Sequence, residues 1–182
     1  MKYIKLFENF EGYDPYELMI IPPNKKAEMI VGELLKRNKA NLNLVRDLIA
    51  LGADLDWQDE SGWTALHYCA YHNHSEIARM LIDAGADLNL QDNRGWTALH
   101  LCAEHNHPEI LRMLIDAGAD LNIQSNEYGM TALHVCAYWG NTLLEIARML
   151  LDAGADKTIK NDEGELPYEF VSSQELKKLL KP

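Results

Sequence analysis

The residues of this 182-residue chain best suited to chemistry are its seven histidines and three cysteines. His72 and His74 form a His-x-His pair, and His105 and His107 form a second one a repeat later. Two such pairs could share a metal ion if their rings converged. Duplication of one segment would produce the same spacing with no metal at all. His67, His100 and His134 each close a Thr-Ala-Leu-His tetrapeptide, and Cys69, Cys102 and Cys136 each follow two residues later. A redox or metal role would need those thiols in one cage. Stacked helices sit about 8–10 Å apart, whereas the Cα atoms of a disulfide lie roughly 4.4–6.8 Å apart. The expectation is therefore three small buried residues, unpaired, in a reducing compartment.

Other catalytic arrangements fail on spacing. His67 and Cys69 are two apart on one helix and point to different faces, so they make no nucleophile–base pair. Asp83 and Asp116 occupy one outer-helix position per repeat and do not cluster. No Gly-rich phosphate loop is present, and the letters His-Asn-His lack the metal-binding context of a nuclease. The expected protein is not an enzyme and holds neither cofactor nor metal.

These residues are positioned by a repeat. Trp63–Gly95, Trp96–Gly129 and Met130–Gly164 are three copies of one segment, 33, 34 and 35 residues long. A period near 33 marks a solenoid, whose units touch only their neighbours. In each copy Thr64, Thr97 or Thr131 caps a short first helix. That helix turns Leu66, Cys69 and Ala70, or their equivalents, inward. Asn73-His74 and Asn106-His107 break it, and Pro108 suits the first turn of the second helix. In the first full copy that second helix, Glu76–Ala84, buries Ile77, Ala78, Leu81 and Ile82; Gly85, Gly118 and Gly154 end the three copies of it. A polar segment then returns and turns at Gly62, Gly95, Gly129 and Gly164.

The flanks read as partial units. Residues 24–62 form a divergent first unit, with Asn24 capping a helix over Lys25–Lys39 that turns Ile30, Leu34 and Leu35 to one side. Its extra Lys and Arg fit an end whose outer face meets water. Residues 165–182 form a C-terminal cap with Leu176, Leu179 and Leu180 inward and Lys177, Lys178 and Lys181 in solvent. Residues 1–23 are an acidic extension, either docked on the first unit or free.

Net charge is −11, and residues 63–164 hold most of it, with 6 basic against 14 acidic side chains. Such a surface repels a phosphate backbone and favours a basic protein partner. No window of 18 apolar residues exists to span a membrane, and no secretory signal is expected from the opening residues. Cytoplasmic residence as a monomer is the expectation.

Thr-Ala-Leu-His-x-Cys-Ala, the Gly-Ala-Asp-Leu-Asn after the second helix and the Asp-x-x-Gly before Trp63 and Trp96 resemble ankyrin repeats, in register over three copies. The resemblance covers residues 24–182. It departs at Ala65, Ala98 and Ala132, where the family usually has Pro, and at Asn73 and Asn106, where it usually has Gly. The third copy also inserts two residues within 139–144, and the second adds one before Gly129. The resemblance implies an all-α solenoid of stacked helix-turn-helix units with projecting β-turns, and protein–protein binding as its role.

It also implies where contact occurs: on hairpin tips and on the outward face of the first helices. The tips carry Glu60, Ser61 and Trp63; Asn93, Arg94 and Trp96; Glu127, Tyr128 and Met130; Asp162, Glu163 and Glu165. The helices carry Tyr71 and His72, Glu104 and His105, Tyr138 and Trp139. Trp63, Trp96, Trp139, Tyr71, Tyr128 and Tyr138 are six aromatics at positions the family leaves exposed, and Trp and Tyr anchor interfaces. The expectation is that replacing Trp63, Trp96 and Trp139 by Ala abolishes capture of a partner and leaves the fold intact. Separately, the opening MKYIKLFENF resembles N-terminal tags on proteins of large tailed bacteriophages. Its Leu6-Phe7-Glu8 fits the Leu-x-Glu pattern cut by their prohead proteases. That resemblance implies a virion-associated or host-targeting protein, acting in the host cytoplasm.

Overall fold

The computed structural model describes residues 15–35, 40–140, 143–171 and 173–181. Among them the helices are α1 (Pro15–Ile20), α2 (Pro23–Leu34), α3 (Leu42–Ala50), α4 (Ala65–His72), α5 (Ser75–Asp83), α6 (Ala98–His105) and α7 (Pro108–Asp116). Beyond these lie α8 (Ala132–Trp139), α9 (Leu144–Asp152), a 3-10 turn at Pro167–Phe170 and α10 (Gln174–Leu180). No β-strand occurs among the described residues. Two layers result: α2, α4, α6, α8 and the 3-10 turn stack in one, and α3, α5, α7, α9 and α10 in the other. The protein is an all-α solenoid.

Small side chains bring the layers together. Cys69, Ala70, Cys102, Ala103, Cys136 and Ala137 are almost wholly buried along the first-helix layer. Ile77, Leu81, Ile110, Leu114, Ile146 and Leu150 fill the space behind them from the second layer. Ile82 and Leu179 are only half-buried, so the inward set is narrower than the sequence pattern implies.

Polar groups set the stacking distance. The Nε2 atoms of His67, His100 and His134 lie 3.0, 3.0 and 3.2 Å from the carbonyls of Trp96, Met130 and Glu165, each in the following unit. A carbonyl only accepts, so Nε2 carries the proton. Nδ1 is then free to accept from the backbone N–H of Thr64, Thr97 or Thr131. Each ring thus closes its own helix start and ties it to the next repeat. Gln58, Gln91 and Gln124 do the same for the hairpins: each amide donates to its own turn and to the carbonyl of Gln91, Gln124 or Lys160 in the next. Asp56, Asn89 and Asn122 add a third ladder by accepting from the N–H of Asp87, Asp120 and Asp156.

Breaks fall where left-handed residues stand. Asn73 and Asn106 adopt φ of 61° and 58° after α4 and α6, a conformation that Asn tolerates better than most residues. Gly140 takes the equivalent place after α8, with φ 82°.

The first unit departs from expectation in four ways. Its helix runs Pro23–Leu34, and Pro22, not Asn24, stands at the N-cap position, without a side-chain hydrogen bond. Pro23 occupies the first turn, where its missing N–H costs nothing. Leu35 ends up 55% exposed instead of facing inward. Lys26 is buried, not solvated; its ammonium donates to the Leu51 carbonyl at 2.9 Å. Leu18 of α1 is buried against the same core. Residues 36–39 and the opening tag, including Leu6-Phe7-Glu8, lie outside the described residues.

Close hairpin stacking and buried imidazoles each have a measurable consequence. A Cβ at Gly95 would collide with the Asn126 backbone nitrogen, and φ there is +79°. Gly118 has a similar φ of +88° but open space around it. Gly118→Ala should therefore cost about 1 kcal/mol from backbone strain alone, and Gly95→Ala at least about twice that. Equal shifts in urea midpoint would contradict close hairpin stacking. The second consequence concerns acid. Burial lowers the pKa of His67, His100 and His134 from 6.5, that of His100 to about 4, against the opposing pull of their carbonyl partners. The unfolded chain then binds protons that the fold refuses. Stability should fall as pH drops from about 6.5 towards 4, by up to about 1.4 kcal/mol per unit per ring. Urea midpoints that stay level down to pH 5 would contradict this.

Candidate protein-interaction face

The hairpin tips and the first helices share one side of the stack. Trp63 and Trp96 are half-buried there, not exposed as the repeat pattern implies. The Trp63 indole N–H donates to Asp92 Oδ2 in the next hairpin at 3.1 Å. Its ring meets Tyr68 edge-on, with 4.9 Å between centroids, and lies 5.3 Å from Tyr71. Trp96 lies 5.7 Å from His100 and carries the Arg94 guanidinium 4.7 Å above its ring. Arg94 is held there by Asp92, 3.5 Å away. The Trp63 indole therefore braces the next hairpin, whereas the Trp96 ring is covered by Arg94 of its own hairpin and turns part of its surface to a cleft.

The other four aromatics are free surface. Tyr71, Tyr128, Tyr138 and Trp139 are 42%, 56%, 63% and 53% exposed. Tyr71 reaches across the repeat boundary to His105, edge-on at 4.5 Å, and touches His72 at 4.8 Å. Glu104 lies 3.3 Å from His105 Nε2. Tyr138 and Trp139 pack edge-on at 5.6 Å.

Eight of the residues expected from the sequence converge on this cleft of about 380 Å³: Trp96, Glu104, Glu127, Tyr128, Met130, Tyr138, Trp139 and Glu163. Trp63, Tyr71, His72 and His105 form a second cluster, joined through the Tyr71–His105 contact. Arg94 lies over Trp96 but does not line the cleft. The cleft also takes in Val135, Asn161 and Phe170. Val135 and Phe170 carry no signal of a site in the sequence. Val135 stands where Tyr68 and Leu101 stand in the earlier copies, and Met130 stands where they have Trp63 and Trp96. Both replacements are smaller, and the space they leave becomes the cleft. Phe170 arrives from the C-terminal unit and meets His134 edge-on at 6.1 Å.

The histidine pairs have structural neighbours. His72 and His74 lie 6.0 Å apart, as do His105 and His107. His74 Nε2 is 3.0 Å from the Leu34 carbonyl. Burial, followed by His74 and His105, lowers the pKa of His72. Among the described residues no three His, Cys, Asp or Glu side chains come together to hold a metal ion. All three cysteines are unpaired, and burial raises their thiol pKa values far from the reactive range.

Among the described residues no helix is long and apolar enough to cross a membrane. A search of curated proteins finds no match. A family model of ankyrin repeats in three copies matches residues 34–125 and 95–161. Ankyrin repeats are generally protein–protein interaction modules, typically without catalytic activity. With the helix pairs, hairpins and Thr-Ala-Leu-His caps in place over most of its length, the chain belongs to the ankyrin-repeat family.

Proposed function

We propose that this protein captures a partner protein on the side formed by its hairpin tips and first helices, as an adaptor or as an inhibitor by occlusion. The observation that carries the reading is the set of large aromatics left exposed on that side: Tyr128, Tyr138 and Trp139 around one cleft, and Tyr71 in the neighbouring cluster. Stacking needs none of that area, and contiguous apolar surface of this kind marks contact sites. The charge of the repeats supports a partner with a basic surface and argues against nucleic acid. Three buried, unpaired thiols support a reducing compartment such as the cytoplasm, and the reading takes the protein as a monomer. A second reading rests on Leu6-Phe7-Glu8: a phage protein carried in the particle and cut after Glu8. Mass spectrometry of purified particles should then find a chain starting at Asn9, and finding Met1 chains alone would sink it.

The half-buried indoles change which substitutions test capture. Trp63→Ala removes the bond to Asp92 and three ring contacts, and should cost about 2–3 kcal/mol of stability. Tyr138→Ala/Trp139→Ala touches exposed rings and should change stability by less than about 1 kcal/mol. In a pull-down from native lysate read by mass spectrometry, that double variant should lose a partner the wild type enriches. For a known partner the loss should be at least about 30-fold in affinity. Undiminished capture by the double variant would place the contact elsewhere.

A further inference from the structure

The cleft beside Tyr138 and Trp139 has a chemistry more specific than apolar contact. Tyr128, Tyr138 and Trp139 give it exposed aromatic rings. Glu104, Glu127 and Glu163 add three carboxylates, and no Lys, Arg or His lines it among the described residues. Glu127 and Glu163 form no ion pair with any described residue. The lining is therefore negative, and a cation entering the cleft would be attracted to it. Aromatic faces attract cations as well, most strongly once water is excluded.

The chain fills such an arrangement itself one hairpin earlier. Arg94 lies over the Trp96 ring at 4.7 Å and beside the Asp92 carboxylate at 3.5 Å. In the next hairpin Asn126 takes the place of Asn93 and Tyr128 that of Arg94, with Glu127 added between them. Ser125 and Met130 replace Asp92 and Trp96, so the internal guanidinium and both of its partners are gone. The rings and carboxylates around the cleft come instead from Tyr128, Tyr138, Trp139 and the three glutamates, without a cation of their own.

We infer that this cleft is a socket for one cationic side chain, arginine or lysine, presented by a basic segment of the partner polypeptide. The inference rests on the proposed capture function and names the chemistry the partner must offer. Aromatic rings hold the aliphatic stem, and Glu127 and Glu163 flank the charged head. Specificity against neutral residues then comes from the carboxylates, which a neutral head leaves unpaired.

The test uses the full chain and blocked Gly-Ser heptapeptides with one central residue: arginine, lysine, citrulline or norleucine. Binding is read from the Trp139 indole N–H signal in NMR titrations. The arginine or lysine peptide should shift it saturably, with Kd in the millimolar range. Citrulline and norleucine should leave it unmoved. Glu127→Gln/Glu163→Gln should weaken the cationic peptide at least about 5-fold, with thermal melting unchanged to exclude misfolding, and added salt should weaken it further. Norleucine binding as well as arginine, no saturable shift with either cation, or an unaffected glutamine variant would each overturn the socket. Those outcomes leave capture at this face standing if Tyr138→Ala/Trp139→Ala still loses a partner from lysate; an aromatic variant that captures normally removes both the socket and this face as the contact site.

Discussion

Each repeat leaves its polar groups unfinished until the next one arrives. The buried imidazoles of His67, His100 and His134 each need a carbonyl that belongs to the following unit. The amides of Gln58, Gln91 and Gln124 also divide their donors between two hairpins. A buried donor without an acceptor costs roughly 1–3 kcal/mol, so a misplaced neighbour would lose several such bonds at once. This constraint holds the period closely enough that the same side chains recur on the same face. The stack then needs a last unit able to accept, and Glu165, at the start of the C-terminal unit, provides that carbonyl.

The same constraint explains why the aromatics divide into two sets. Trp63 stands where the turn of one hairpin meets the base of the next and its ring is drawn into the seam, while the Trp96 ring is covered by Arg94. Asp92 serves both: it accepts from the Trp63 indole and from the backbone N–H groups of Arg94 and Trp96. Tyr138 and Trp139 stand at the end of α8, where the third copy replaces Asn with Gly140 and inserts residues before α9. Rings there have no equivalent seam to enter and remain at the surface.

Free surface therefore concentrates where the repeats diverge. The third copy has Met130 for Trp and Val135 for Tyr or Leu, and the hairpin before it has Ser125 for Asp, Tyr128 for Arg and an added Glu127. Each change removes volume, takes away an internally paired charge or adds an unpaired one. Together they convert a braced seam into an open cleft with a net negative lining. The earlier copies, which keep the bracing residues, supply rigidity.

Much of this could be read from the residues alone. The period, the Thr caps, the small inward residues and the glycine stops are local signals. They recur often enough to specify the fold, and the candidate face comes from the repeat register. What the sequence could not decide was the exposure of any one ring. Trp63, Trp96, Tyr138 and Trp139 are all aromatics on the expected face, yet Trp63 is held by Asp92 of the next hairpin, Trp96 is partly covered by Arg94, and the last two are exposed. That outcome depends on which partners the packing brings to each ring. The cleft needed tertiary structure for the same reason, since Val135 and Phe170 matter only through the space between units that are distant along the chain. Local periodicity determines which residues face which way; only the packing of one repeat on the next determines which of them remain free to bind.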